Sequence, residues 1–479
     1  MEELKLNKFE TNKEAKINGQ QLTYKTVCGD VPVRGTEGSL LGTMFYYSYL
    51  RTDAEDRETR PVLFAYNGGP GSSAMWLHTG LLGTKRVRLD CPTEPPAVPP
   101  YEIEENPYCL LDLCDIVMID PLGTGYSQVL QPELAKEAYS MEQDARIFAD
   151  FILKWTEENG RWNSPKYLLG ESYGTMRSSI LASTLMGGPT QAGAAATGMA
   201  IDGIIMMGSG IMVNPNPNLW DEYGVERISL DLPTMAAVSW YFDHEGKPGL
   251  RDFVEEAYAF ASDVCLPCLY KARRMGREEE SNFMAKLAYY TGLSVKILKR
   301  YGHRISLGAF AGELLRDRGL EAGMYDGRFT MALAGEKIGM ADPVTDDPAM
   351  GAYTPAFRAA FAQIAEELNI QLERDYRIID FNVNGMWRYD GLRSPFQYLQ
   401  AALRRNPQLR VMFCDGLYDL VTTVGQARYA AAHLQSREGQ VIVKEYPSGH
   451  MPYIGEESGA QLAEDLRAFI SKEEMESCF

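Results

Sequence analysis

The chain has 479 residues, 45% of them hydrophobic, enough for a large core and too long for one minimal domain. Its formal net charge of −18, with no long basic run, excludes a nucleic-acid surface, which needs clustered Lys and Arg. The most apolar stretch, Met199 to Val213, is too short to span a membrane and contains Asp202. In chain order, Thr23 to Val31 and Ser39 to Tyr49 alternate well enough to predict an antiparallel hairpin at a sheet edge. Strands and helices then alternate: Val62–Tyr66, Ile116–Asp120, a helix about Met141–Glu158, Tyr167–Leu169, a helix from Thr175 to Met186, and Gly203–Met207. That alternation predicts a mainly parallel sheet with right-handed crossovers. Asn214-Pro215-Asn216-Pro217 breaks the pattern, and the short Ala192–Gly198 tract and the Pro-rich Pro92–Pro100 read as loops. From there to about Glu373 the chain reads as helices: Leu250–Ala261, Asn282–Tyr290, Ser294–Tyr301 and Ala356–Asn369. After Tyr376 strands return at Arg410–Cys414 and Val441–Tyr446, and a helix, Gly459–Ser471, follows. The expected organisation is an α/β core in two parts, residues 1–213 and 374–479, around a helical cap insertion, 214–373.

The chemistry concentrates on Gly170-Glu171-Ser172-Tyr173-Gly174, placed between a short apolar strand and a helix. That is the setting of a nucleophile elbow, where flanking glycines let the chain turn sharply and leave the Ser hydroxyl exposed. A hydroxyl needs a His to take its proton at neutral pH. Of the five His, four have ordinary surroundings: His78, His244, His303 and His433. His450, in Pro447-Ser448-Gly449-His450-Met451-Pro452, follows a strand and precedes the last helix, where the base of such an enzyme belongs. The acid is expected between Ser and His in the chain, and two carboxylates compete after the strand at 410–414. Asp415 precedes Gly416 and fits a turn, whereas Asp419 lies further into the loop, where it can reach the His ring; Asp419 is favoured. The strand Pro61–Tyr66 runs into Asn67-Gly68-Gly69-Pro70-Gly71-Ser72-Ser73, whose glycines can aim backbone N–H groups at a substrate oxygen, beside the N–H of Tyr173. Neither a G-K-[ST] nor a G-x-G-x-x-G pattern accompanies that loop, so phosphate binding is disfavoured.

Four blocks in order — Asn67 to Ser73, Ile119 to Ser127 (Ile-Asp-Pro-Leu-Gly-Thr-Gly-Tyr-Ser), Gly170 to Gly174, and Asp419 with Gly449-His450-Met451 — resemble the serine carboxypeptidases, a branch of the α/β-hydrolases. The resemblance implies an α/β-hydrolase fold and a triad of Ser172, Asp419 and His450. It also implies oxyanion N–H groups from Gly69 and Tyr173, and a substrate-carboxylate site of Asn67 and Glu171, with Glu171 protonated because two ionised carboxylates repel. The chain departs from the family at Ala65, where a Trp is usual, at Leu81, where a second acid is usual, and at Ser72 and Thr422, where Cys is usual.

The expected activity is therefore peptide hydrolysis through an acyl-enzyme, releasing C-terminal residues. An esterase or acyltransferase on the same triad is the alternative, and a non-catalytic binding protein is disfavoured by the intact triad. No cofactor or metal is expected, and the expected partner is a peptide, with neither nucleic acid nor membrane. Cys265-Leu266-Pro267-Cys268 has no second pair and no nearby His pair, so buried or surface structural thiols are the favoured reading. Met1 to Gly19 is charged and lacks the apolar core of a signal peptide, and the eight Cys show no dense framework. Both point to a cytoplasmic setting.

Overall fold

The computed structural model describes residues 5–35, 38–55, 57–89, 93–96, 98–187, 197–212, 225–333 and 346–478. The Asn214-Pro215-Asn216-Pro217 break lies outside them, as do most of the Ala192–Gly198 tract and part of Pro92–Pro100.

A ten-stranded mixed sheet organises the molecule. Its order is Lys8–Ile17, Gln20–Arg34, Leu40–Arg51, Asp115–Ile119, Val62–Tyr66, Lys166–Glu171, Gly203–Met207, Arg410–Gly416 and Val441–Tyr446, with the short Gln128–Val129 paired to Leu40–Arg51. The first three strands are antiparallel, and from Asp115–Ile119 onward all neighbours run parallel. The parallel strands are buried on both faces, so they read as continuous apolar runs rather than as alternations. Within one strand, Leu63 and Ala65 face one core layer and Val62, Phe64 and Tyr66 the other.

The expected edge hairpin is a three-stranded meander. Lys8–Ile17 escapes a reading by hydrophobicity because its outward positions are Lys, Glu and Asn. Lysines along an outer strand also discourage pairing with another chain. Helices Met141–Glu158, Tyr173–Leu185, Pro395–Arg405 and Val424–His433 contribute to one core layer. Pro348–Glu367 and Glu456–Ile470 contribute to the other.

Between Gly203–Met207 and Arg410–Gly416, adjacent strands in the sheet, the described chain is mainly helical: Val225–Phe242, Leu250–Phe260, Leu266–Lys271, Arg277–Thr291, Val295–Arg300 and Leu307–Leu314. A small hairpin, Leu320–Ala322 with Thr330–Ala332, interrupts the helices, which the sequence reading did not anticipate. These helices form a third apolar cluster, which includes Leu417, Tyr418 and Leu420 from the loop carrying Asp419. Cys265 and Cys268 are buried in that cluster, and burial pushes the Cys265 thiol up to about 12, a setting for packing rather than reactivity. Among the described residues no His, Cys, Asp and Glu cluster could hold a metal, and no helix is long and apolar enough to cross a membrane.

Candidate active site

Ser172 stands between the strand Lys166–Glu171 and the helix Tyr173–Leu185, with φ 58° and ψ −125°. A non-glycine residue in such a conformation is strained and is held there by its surroundings. Gly170 makes the turn possible, since a Cβ there would lie 2.1 Å from the carbonyl oxygen of Gly174. The Ser172 N–H donates to the Met207 carbonyl (2.8 Å), which ties the elbow to the neighbouring strand.

His450 Nδ1 and Asp419 Oδ2 are 2.7 Å apart, and both side chains are buried. Asp419 is held by its own loop: Oδ1 accepts from the N–H groups of Val421 (2.7 Å) and Thr422 (3.0 Å), and Oδ2 accepts from Thr422 Oγ1 (2.5 Å). Thr422, noted in the sequence only as a departure, thus orients the acid. Burial alone would lower the His450 pKa, but the charge and hydrogen bond of Asp419, with the charges of Glu171 and Asp415, raise it above the usual value. Its Nε2 is buried and unpartnered, and His450 lines the same cavity as Ser172.

Asp415 has a different place. It lies inside the strand Arg410–Gly416 rather than in a turn, its Oδ1 accepts from the Ser209 N–H (2.7 Å), and burial pushes its carboxyl well above the ordinary range.

The cavity, about 230 Å³, is lined by Asn67, Gly68, Gly69, Glu171, Ser172 and His450, together with an apolar wall that includes Trp76, Met350, Ile379 and Phe381. Gly69 adopts φ +99°, the left-handed region that favours glycine. The loop presses on the elbow, since a Cβ on Gly68 would fall 2.4 Å from the Tyr173 nitrogen. Asn67 Nδ2 donates to Glu171 Oε1 (2.8 Å). Burial pushes Glu171 up to about 7, against the favourable influence of His450, Tyr453 and Asn67. The structure thus gathers Asn67, Gly69, Glu171, Ser172, Tyr173, Asp419 and His450 at one place.

Several supports were not legible in the sequence. Segment 324–327 reaches the site from the helical region: Leu420 N–H donates to Met324 O (2.9 Å), Gly327 N–H to Tyr418 O (2.9 Å), and His450 N–H to Tyr325 O (2.7 Å). The Tyr325 ring meets the His450 ring edge-on at 5.1 Å. Residues 378–384 staple the Gly-rich loop: Ser73 N–H donates to Ile378 O (2.9 Å), and Asp380 N–H to Gly71 O (2.8 Å). Asp120, in the second motif block, accepts from the Ala74 N–H (2.9 Å) and the Tyr47 hydroxyl (2.9 Å), and so anchors the end of that loop.

Arg177 lies beneath the elbow, fully buried, pairs with Asp144 (2.6 Å) and donates to the carbonyl of Asn67 (2.8 Å). A lone Arg five positions past Ser172 on a buried helix was the available signal. Removing it leaves the Asp144 carboxyl buried without its partner. Arg177→Met is therefore expected to cost about 3–5 kcal/mol by chemical denaturation, and a cost under about 1 kcal/mol would contradict the anchoring role.

A sequence model described as serine carboxypeptidase matches residues 18–446. Serine carboxypeptidase-like 36 from Arabidopsis thaliana is 27% identical over 155 residues, 32% of this chain and 29% of that protein, so the match spans under a third of the curated relative. The structure of Kex1(Δ)p, a prohormone-processing carboxypeptidase from Saccharomyces cerevisiae, superposes with TM-score 0.56 at 14% identity, covering 94% of this chain and 91% of that one. At that identity the likeness is one of fold, the α/β-hydrolase fold. With a family model spanning nearly all of its length, the chain belongs to the serine carboxypeptidase family.

Proposed function

We propose that this protein is a serine-type carboxypeptidase that releases C-terminal residues through an acyl-enzyme. Ser172 Oγ attacks the scissile carbonyl carbon while His450 Nε2 takes its proton, and Asp419 holds the ring and stabilises the imidazolium. The N–H groups of Gly69 and Tyr173 receive the developing oxyanion. The C–N bond then breaks, the leaving amine takes the proton from His450, and water cleaves the ester on Ser172 by the same route. The observation that carries the reading is the pairing of Asn67 with a buried Glu171 in the cavity that also contains Ser172 and His450. A neutral Glu171 donates to a substrate carboxylate; an ionised one repels it. The apolar wall of the cavity favours a terminal residue with an uncharged, bulky side chain. The reading includes a cytoplasmic setting, supported by seven described cysteines that stand as free thiols.

The pH dependence tests it. Glu171, raised to about 7, is neutral below that value and loses its donor proton above it. His450 must be neutral to act as base, so activity also falls on the acid side. Free-acid peptides are expected to give a bell-shaped profile of kcat/KM, whereas C-terminal amides and simple esters lack the alkaline limb. Glu171→Gln keeps a donor without titrating, so it flattens the alkaline limb. It also removes a charge that raises the His450 pKa, so the acid limb moves to lower pH. Equal rates on a peptide and its amide at every pH would favour the esterase or acyltransferase alternative.

A further inference from the structure

Tyr453 follows His450 by three residues, is 2% exposed, and belongs to none of the motif blocks. Its ring lies over Gly80, where a Cβ would come within 2.5 Å of Cε2. Gly80 precedes Leu81, the position at which an acid is usual in the resembling sequences. The hydroxyl of Tyr453 and the Oε2 of Glu171 are both buried and neither makes a hydrogen bond of ordinary geometry, yet the two side chains lie close enough for each to shift the other's titration. Two such atoms beside one cavity are costly unless a ligand or a small adjustment satisfies them.

The pattern on Glu171 is directional. Its Oε1 accepts from Asn67, so the proton of the neutral acid belongs on Oε2, the oxygen left free. Tyr453 is a donor at any working pH, because burial, and after it the charge of Glu171, push its hydroxyl well above the usual value. Asn67 and Glu171 are the polar groups that act on Tyr453, and His450, Asn67, Tyr453 and Asp419 are those that act on Glu171. Tyr453 is not among the residues lining the cavity, whereas Glu171 and Asn67, which act on it, are, so its effect on a substrate passes through them.

We infer that Tyr453 is a positioning residue for the substrate's terminal carboxylate: its hydroxyl donates to Glu171 Oε2, whose own proton is given to the substrate. This rests on the carboxypeptidase reading above. Such a chain polarises its members and strengthens the outer bond. It also stabilises the ionised form of Glu171 when no substrate is bound, which limits how far burial raises that group.

The test is Tyr453→Phe, which keeps the ring over Gly80 and removes the hydroxyl alone. Steady-state kinetics are read across pH on one peptide as free acid and as amide, and on a small ester. The expected result is a several-fold rise in KM for the free acid relative to the ester, with the alkaline limb displaced to higher pH because ionised Glu171 has lost a donor. An equal fall on all three substrates would assign Tyr453 a structural role only and overturn the inference. So would an unchanged free-acid KM and limb in a variant whose parent still prefers the free acid. If the parent chain itself treats acid and amide alike, the carboxypeptidase reading falls, and this inference with it.

Discussion

Ser172→Ala is expected to abolish labelling by an organophosphonate or sulfonyl fluoride and to lower kcat/KM by about 10⁴- to 10⁶-fold, leaving what binding and the oxyanion groups supply alone. The expectation rests on more than the motif. Ser172 is held at φ 58°, its N–H is fixed to Met207, and it shares a cavity with a His450 whose Nε2 is buried and unpartnered. The strain is tolerated because the strand and helix on either side are fully buried. Alanine accepts the same backbone with no new contact, so the variant should fold, and its lost activity reports on chemistry. Undiminished turnover, read with a fluorogenic ester and a peptide, would exclude Ser172 as the nucleophile.

Asp419→Asn is expected to cost roughly 10⁴-fold in kcat, less than His450→Ala but still a large factor, whereas Asp415→Asn should cost little. Asp419 accepts every hydrogen bond made to it: two from backbone N–H groups, one from Thr422 and one from His450. An amide cannot accept on both sides. Its NH₂ either opposes Val421 and Thr422 or meets His450 Nδ1, which then carries no proton. In that case Nε2 holds the proton and cannot take one from Ser172. Asp415, by contrast, is buried, which pushes its carboxyl well above the ordinary range, and it makes one hydrogen bond through Oδ1, which an amide oxygen reproduces. A profile in which Asp415→Asn is the more damaging change would reverse the choice between the two carboxylates.

The parallel core was legible in the sequence because its strands are short apolar runs between helices, and Val62–Tyr66 and Gly203–Met207 carry nothing else. The outer strand Lys8–Ile17 was not, because half of its residues face water and two of its inward positions, Thr11 and Lys13, are polar, which breaks the apolar alternation. At the site, residues whose chemistry depends on a local motif were visible: Ser172 between glycines, and His450 after a strand. Those whose role comes from long-range contact were hidden. Tyr325 reaches His450 from a helical region more than a hundred residues away, and Ile378 staples a loop near residue 73 through a backbone carbonyl. Backbone hydrogen bonds leave no trace in side-chain identity. The choice of Asp419 over Asp415 was legible only in part: both follow the same apolar run, and what separates them is that the strand extends through Asp415 to Gly416.

On the proposed function, Ser172 cuts one residue at a time from a free peptide C-terminus. The most direct test incubates the purified protein with one apolar-ended peptide, prepared as free acid and as amide, below pH 7, and reads the products by mass spectrometry. Stepwise loss from the C-terminus of the free acid is expected, with much slower loss from the amide, and neither with Ser172→Ala. Shortening from the N-terminus, internal cleavage, or equal rates on both forms would contradict it.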